Sequence, residues 1–269
     1  MRPALILIFL LFTGISPVSA NQTALDDRFA YGLYAGGIRA LDIELGFHLH
    51  PDRYDIAMKA KPYGLLGGLL PWAGHYTTTG KHQASKLIPQ SHLKVSQWRD
   101  DKDTDKFTYE NGVLVSLKRT DTEKKPLKEE NVPLDKTLHQ GSVDLLTATL
   151  YPLMQMNDGK ACDAAIDVFD GKRRFVLKFT KKGTETLVAS KYNMFSGKTV
   201  ICQVEMIPVA GFKGKKRGYY KLQEEGRAQG QLPKIWMGRA GKNGAYVPVK
   251  IMMKSEYGAV LVHVEKNLP

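Results

Sequence analysis

The chain has 269 residues, of which 43% are hydrophobic and 25% are charged. This balance excludes an intrinsically disordered protein and suffices for one large β domain or two small ones. The net charge of +12 suggests an anionic partner. For an exported protein we expect an anionic membrane surface and no nucleic acid, although solubility alone also explains the charge.

The first residues are typical of a secretory signal peptide. A single positive charge at Arg2 precedes the apolar residues 4–12, and Val18-Ser19-Ala20 supplies small residues for cleavage. The apolar run is too short to span a bilayer, which takes about 20 residues. We therefore predict a cleaved signal peptide over residues 1–20, with an uncleaved anchor as the alternative. The mature chain would begin at Asn21 in an oxidising compartment.

Antiparallel strands dominate the predicted secondary structure. Apolar and polar residues alternate between residues 41 and 49, which indicates a strand with one buried face. Its apolar positions are Leu41, Ile43, Leu45, Phe47 and Leu49. Asn111-Gly112 and Asp170-Gly171 each separate two apolar runs, and both dipeptides favour the tight turn of a hairpin. These patterns together predict about a dozen strands.

One helix is predicted from residue 142 to about residue 151, with Ser142 as its cap and Pro152 disrupting its far end. A kinked continuation to Met156 is the alternative. Its apolar residues cover more than one stripe, so the helix needs burial on several sides. We therefore predict a mainly β fold, in which a curved antiparallel sheet (a half-barrel) wraps around one short helix. Residues 21–269 would form a single β-rich domain with a charged loop near 121–140. Two β-sandwich lobes split at that loop are the alternative.

Residues 63–72 combine four leucines and a tryptophan with three glycines and no charge. Such a segment could be a mobile apolar lip on a ligand cavity, or a loop that touches lipid. The lip residues would be Leu65, Leu66, Leu69, Leu70 and Trp72. The alternative is a wide turn whose leucines fold back into the core.

Basic residues gather at 172–174, at 181–182 and at 213–217. The last group lies between glycines, which let backbone N–H groups approach an anion. An anionic head group could bind there, through Lys213, Lys215, Lys216 and Arg217. A plain solvated loop is the simpler interpretation, since no phosphate-loop spacing accompanies these residues.

Cys162 and Cys202 are the two cysteines of the chain. In an oxidising compartment two cysteines usually pair, and a loop of this length gains about 4 kcal/mol in the chain-entropy model. Buried free thiols are the alternative. A metal site would need more ligands than two cysteines provide.

No catalytic or phosphate-binding motif is present, so we predict no enzyme and no cofactor. His48 and His50 share one face of the predicted strand, but it is the polar face, and we predict no metal there. A hydrolase assembled from distant residues stays open, because its site would be invisible to motif analysis.

Several segments in this order resemble a family of Gram-negative envelope proteins, the domain-of-unknown-function family 3108. The resemblance spans residues 28–265, and the Phe169-to-Arg174 hairpin with its two flanking cysteines is its most specific part. Its other segments are Tyr31–Gly37, Gly64–Leu66, Leu70–Trp72, Asp144–Ala148, Ile207–Phe212, Ile235-Trp236 and Val247–Lys250. The resemblance implies a periplasmic protein with no established activity and no catalytic residues to transfer. More loosely, the predicted fold is similar to Lol-type lipoprotein carriers, which hold acyl chains in an apolar concavity.

The leading hypothesis is a periplasmic binding or carrier module for an apolar or amphiphilic, lipid-like ligand. The concave face of the sheet would be lined by Leu41, Ile43, Leu45 and Phe47, and the 65–72 segment would form its lip. An envelope scaffold that binds an unknown protein partner through sheet edges is the alternative. A hydrolase is the third hypothesis.

Overall fold

The computed structural model describes residues 25–65, 71–83, 85–120, 129–212, 218–256 and 258–269. Within these ranges, fourteen strands form one antiparallel sheet. The predicted mainly β fold with a curved sheet is therefore confirmed. The predicted signal peptide, residues 1–20, lies outside the described residues. The strands are β1 (Leu25–Ala35), β2 (Ile38–Leu49), β3 (Arg53–Pro62), β4 (Trp72–Gln83), β5 (Lys86–Trp98), β6 (Asp101–Glu110), β7 (Val113–Thr120), β8 (Glu129–Asn131), β9 (Ala164–Phe169), β10 (Arg174–Leu187), β11 (Gly197–Ala210), β12 (Lys234–Arg239), β13 (Tyr246–Ser255) and β14 (Gly258–Asn267).

Strands that neighbour each other in the sheet mostly neighbour each other along the chain, so hairpins make most of the connections. The spatial order is β8-β7-β6-β5-β4-β3-β2-β1-β14-β13-β12-β11-β10-β9. The two ends of the described chain thus meet in the middle of the sheet, where β1 pairs with β14. The sheet's outermost strands, β8 and β9, are instead joined by the segment that contains two helices, α1 (Lys136–His139) and α2 (Leu145–Asn157).

Helix α2 lies inside the curve of the sheet and contacts β3, β4, β5, β9 and β13. The predicted cap was wrong: Asp144, rather than Ser142, caps the helix by accepting a hydrogen bond from the Thr147 backbone N–H at 3.0 Å. The Ser142 hydroxyl instead donates to the His139 carbonyl at 2.7 Å. Of the two predicted ends, the longer one is close to the observed end, because the helix continues through Pro152 to Asn157.

Packing explains why a proline is tolerated within α2. Pro152 has no N–H to donate to the preceding turn, which normally weakens a helix. Here most of the helix surface is buried, including Leu150, Leu153 and Met156, each at most 3% exposed. Tertiary burial on several sides therefore outweighs the lost hydrogen bond.

The gap between the two outermost strands is covered by the residues around α1 and α2. Val143 pairs with β9 through its own N–H, which donates to Asp167 O at 2.9 Å, and its carbonyl, which accepts from Phe169 N at 3.0 Å. Phe169 also contacts Phe107 of β6, with ring centroids 6.3 Å apart. Among the described residues, β8 and β9 are therefore not hydrogen-bonded to each other, while side chains pack across the gap between the two ends of the sheet. The charged stretch predicted as a loop contributes β8 and α1 to this region, and its residues 121–128 lie outside the described part.

A third helix, α3 (Gly218–Ala228), was not predicted from the sequence. It covers the part of β11 that extends beyond β12. The side chain of Gln223 replaces a strand there, since Met206 N donates to its Oε1 at 2.5 Å and its Nε2 donates to Met206 O at 2.8 Å. None of the described helices is long and apolar enough to cross a membrane.

Candidate functional site

The concave face of the sheet has two ends that differ in burial. At one end, which we call the filled end, inward side chains pack against α2 and are almost fully buried, as Phe47, Tyr54 and Ile56 are. At the other end, which we call the mouth, inward apolar side chains are only half-buried by the described residues. The mouth residues are Leu33, Leu41, Ile43, Leu45, Met58, Tyr76 and Ile251.

The strand register makes the mouth a continuous apolar wall. Leu33 of β1 lies opposite Leu41 of β2, and Leu45 of β2 lies opposite Met58 of β3. Met58 in turn lies opposite Tyr76 of β4. Of the four predicted cavity-lining residues, Leu41, Ile43 and Leu45 therefore lie together at the mouth. Phe47 lies deeper, at the filled end, and is 1% exposed.

Beside this apolar wall, the part of the inward face of β5–β7 that holds Lys94, Ser96, Asp105 and Arg119 is polar. Trp72 donates from Nε1 to Ser96 Oγ at 3.1 Å. Asp105 accepts from Arg119 at 2.5 and 3.1 Å, and Lys94 Nζ lies 3.5 Å from the same carboxylate. The Asp105 side chain is only 9% exposed. The concave surface at this end therefore combines an apolar wall with a polar one.

The predicted lip falls on the connection between β3 and β4. Leu65 is 95% exposed and Trp72 is half-buried, whereas Leu66, Leu69 and Leu70 lie outside the described residues. Pro62 ends β3 directly opposite Leu41. The connection therefore leaves the sheet at the mouth.

The predicted head-group residues Lys213, Lys215, Lys216 and Arg217 also lie outside the described residues. Gly211, just before them, packs tightly on the basic hairpin turn, because a Cβ atom there would lie 2.4 Å from Lys172 O. The next residue, Phe212, lies under the Arg173 guanidinium at 5.2 Å. The residues just before the second basic group, 213–217, therefore contact the first basic group, 172–174, although the two groups are distant in the sequence.

A buried polar network at the start of α2 was missed by the sequence analysis. Thr78 Oγ1 donates to Asp144 Oδ1 at 2.7 Å and lies 2.8 Å from His92 Nδ1. Thr147 Oγ1 donates to Asp144 Oδ2 at 2.6 Å and lies 2.8 Å from the Tyr54 hydroxyl. Burial lowers the pKa of His92, so the imidazole is neutral at pH 7. The sequence signal was Asp144 three residues before Thr147, the spacing of a side-chain cap.

Cys162 and Cys202 form the predicted disulfide, and both residues are 0% exposed. Cys202 lies on β11, whereas Cys162 lies between α2 and β9. The bond therefore connects the segment that follows the interior helix to the wall of the sheet.

His48 lies on the outer face, as predicted, where its Nδ1 contacts Asp26 and its Nε2 lies 4.0 Å from Asp55. The hydrogen bond with His48 lowers the pKa of Asp26. Among the described residues no group of three or more His, Cys, Asp or Glu side chains is arranged to hold a metal ion.

Comparison with known proteins gives a family match and two structural likenesses. The model of the family described as "Protein of unknown function (DUF3108)" matches residues 30–265. A β-barrel-like protein of the domain of unknown function DUF1849 from Brucella abortus is 11% identical, with a TM-score of 0.46 over 91% of this chain and 97% of that one. A DUF1329 family protein from Desulfovibrio piger is 9% identical, with a TM-score of 0.20 over 91% of this chain and 85% of that one. No curated protein matches the chain significantly.

Proposed function

We propose that this chain, which belongs to the DUF3108 family of proteins of unknown function, is an exported periplasmic carrier that holds an apolar or amphiphilic, lipid-like ligand at the mouth. The observation that carries the proposal is the difference in burial along one strand. On β2 the inward residues Leu41, Ile43 and Leu45 are half-buried, whereas Phe47 and Leu49 beyond them are buried.

An acyl chain is a suitable guest for this wall. At a rise of about 3.3 Å per residue, Leu41 to Leu45 span roughly 13 Å along the strand. Burial of a methylene contributes about 0.8 kcal/mol, so eight methylenes would contribute about 6 kcal/mol before ordering costs. That energy is in the range of useful, reversible binding for a carrier.

The polar wall supports an amphiphile over a pure hydrocarbon. Ser96, Lys94 and the Asp105–Arg119 pair line the concave face next to the apolar residues. A ligand with a polar head could place its tail on β1–β4 and its head near β5–β7. The exposure of Leu65, 95% at the same end, supports a lip that would close over the tail.

Native mass spectrometry of protein purified from an envelope fraction tests the proposal, together with titration of a fluorescent fatty acid. We expect a co-purifying amphiphile and saturable fluorescence. Ile43→Lys should abolish both, because it places a charge on the apolar wall. Val113→Lys, at an outer residue that is 55% exposed, is the matched control and should bind as the unmodified protein does. Absence of any lipid and of any fluorescence change would refute the carrier function.

The alternatives have weaker support. A protein partner would have to pair with β7 where it runs beyond β8, or with β10 where it runs beyond β9. In both stretches the strand register shifts, at Thr108/Tyr109 between β6 and β7 and at Lys181/Gly183 between β10 and β11. Bulges and lysines at edges are typical protection against edge-to-edge pairing. His92, Asp144 and Thr78 do bring a histidine, a carboxylate and a hydroxyl together, but each is less than 10% exposed. Such burial favours a structural role over hydrolysis.

A further inference from the structure

We propose a second binding site, for a phosphate-type anion, in a pocket near the filled end that is lined by Lys198 and Arg239. The pocket has a volume of about 330 Å³. It lies where β11 and β13 begin and β12 ends, far along these strands from the mouth. The lining residues that matter for binding are Phe195, Ser196, Lys198, Arg239 and Tyr246. This inference does not depend on the carrier proposal.

The charge of the pocket is one-sided. It is lined by two cations and by no carboxylate among the described residues. Within the same part of the chain, neither Lys198 nor Arg239 forms an ion pair with an acidic side chain. The carboxylate of Glu185, on the adjacent strand β10, is engaged elsewhere, because it accepts from Trp236 Nε1 at 2.7 Å.

The strand register brings the two cations together. Thr199 of β11 lies opposite Gly238 of β12 as the last pair of these two strands, and Lys198 and Arg239 are the residues next to this pair that line the pocket. Like charges on neighbouring strands destabilise a sheet unless a counter-ion lies between them. An anion bound between them would turn this repulsion into two charge-assisted contacts.

Arg239 is already oriented for such a contact. Its guanidinium lies over the Tyr246 ring at 4.3 Å and donates from Nη1 to Gly244 O at 2.8 Å. Both contacts fix the plane of the group, and its remaining N–H groups can present the paired donors that a phosphate accepts. Ser196, a residue with a neutral hydroxyl donor, and the apolar Phe195 also line the pocket.

Calorimetric titration of the folded protein with inorganic phosphate at low salt is the direct test, since salt screens exposed charges. Lys198→Gln combined with Arg239→Gln should weaken binding at least about tenfold, because two charge-assisted contacts are lost. Lys178→Gln combined with Lys182→Gln removes the same charge from exposed positions on β10 and should change the affinity less than about twofold. Arg239→Lys keeps the positive charge but loses the paired N–H donors of the guanidinium, so its affinity should lie between those of the two double variants.

A second arm identifies the source of the phosphate. Sedimentation with vesicles of phosphatidylcholine containing phosphatidic acid is compared with phosphatidylcholine alone, using the same variants. Phosphate binding that needs Lys198 and Arg239 supports a soluble anion, and vesicle binding with the same dependence supports a lipid head group. The proposal is overturned if neither probe binds, or if both double variants lose binding equally. Thermal melts of all variants verify that each is folded.

Discussion

The filled end and the mouth are built by the same strands and even by the same strand faces, yet their inward side chains differ in burial. At the filled end, α2 supplies the second layer that the sheet needs, so Phe47 and Ile56 are buried on all sides. At the mouth the same face continues beyond the helix and keeps its apolar residues, Leu41 and Ile43 among them. This half-buried apolar face is the observation on which the proposed binding function depends.

Removal of the disulfide should have the largest effect on the filled end. We expect Cys162→Ala combined with Cys202→Ala to lower the free energy of unfolding by about 4 kcal/mol, because the unfolded chain regains the freedom of the closed loop. Urea denaturation of the two proteins measures the difference. If the fluorescent ligand still binds the folded variant with unchanged affinity, the two ends are energetically separate; a large loss of affinity would contradict that separation.

Truncation of one side chain at each end compares their packing directly. Leu150→Ala at the filled end should destabilise the protein by about 3 kcal/mol, since it leaves a cavity in a close-packed region. Ile43→Ala at the mouth should cost only about 1 kcal/mol, because the side chain is half-buried. Thermal and urea unfolding measure both values. Equal costs would mean that the mouth is packed as tightly as the filled end.

The cap of α2 is the next smaller test. Asp144→Ala removes the cap and leaves the hydroxyls of Thr78 and Thr147 without their acceptor, which should cost about 2 kcal/mol. Ser142→Ala removes one neutral hydrogen bond and should cost about 1 kcal/mol. Circular dichroism during denaturation checks both. A larger cost for Ser142→Ala would contradict the assignment of the cap.

The smallest expected effect is a pH dependence of the filled end. Burial lowers the pKa of His92, next to Asp144, Asp105 and Lys94, below its value in the unfolded chain. The unfolded state therefore binds the proton more readily, and stability should fall as the pH falls below about 6.5. His92→Gln should reduce this slope, measured by urea denaturation between pH 7.5 and 5.

His139 and His263 should add to this slope, because burial lowers the pKa of each in the same direction. The double variant His139→Gln, His263→Gln is therefore the complementary measurement, and it should retain the part of the slope that His92 contributes. An unchanged slope in His92→Gln would show that this histidine does not report the burial at the filled end.

Much of the sheet could be predicted because its signals are local. The alternation on β2 gave its inward face, and Asn111-Gly112 forms a hairpin turn with positive φ angles of 50° and 79°. The cap of α2 could not be decided locally, since Ser142 and Asp144 are both good caps and the choice depends on Thr78 of a distant strand. Helix α3 was missed because Gly226 lowers helix propensity within it, whereas its main anchor, Gln223, bonds to β11.

Some residues of the candidate sites could likewise be predicted from local sequence patterns, and others could not. Leu41, Ile43 and Leu45 share a face because they share a strand, so their pattern was visible in the sequence. Lys198 and Arg239 line one pocket only because β11 lies beside β12, and Asp144 meets His92 only through packing. Contacts between distant segments follow from the completed fold, and no periodicity in the chain records them.

The pairing of β1 with β14 at the centre of the sheet has a consequence for how the molecule assembles. Phe29 lies opposite Asn267, so the two halves of the sheet, β1–β8 and β9–β14, can each form from neighbouring hairpins. Among the described strands, the backbone pairing that joins the two halves is a contact that spans almost the whole chain. Such distant contacts slow folding, because the chain loses the conformational entropy of a long loop before the contact can stabilise it. Linking the ends and opening the chain between β8 and β9 would make that contact a local hairpin, and the rearranged chain should refold faster into the same structure.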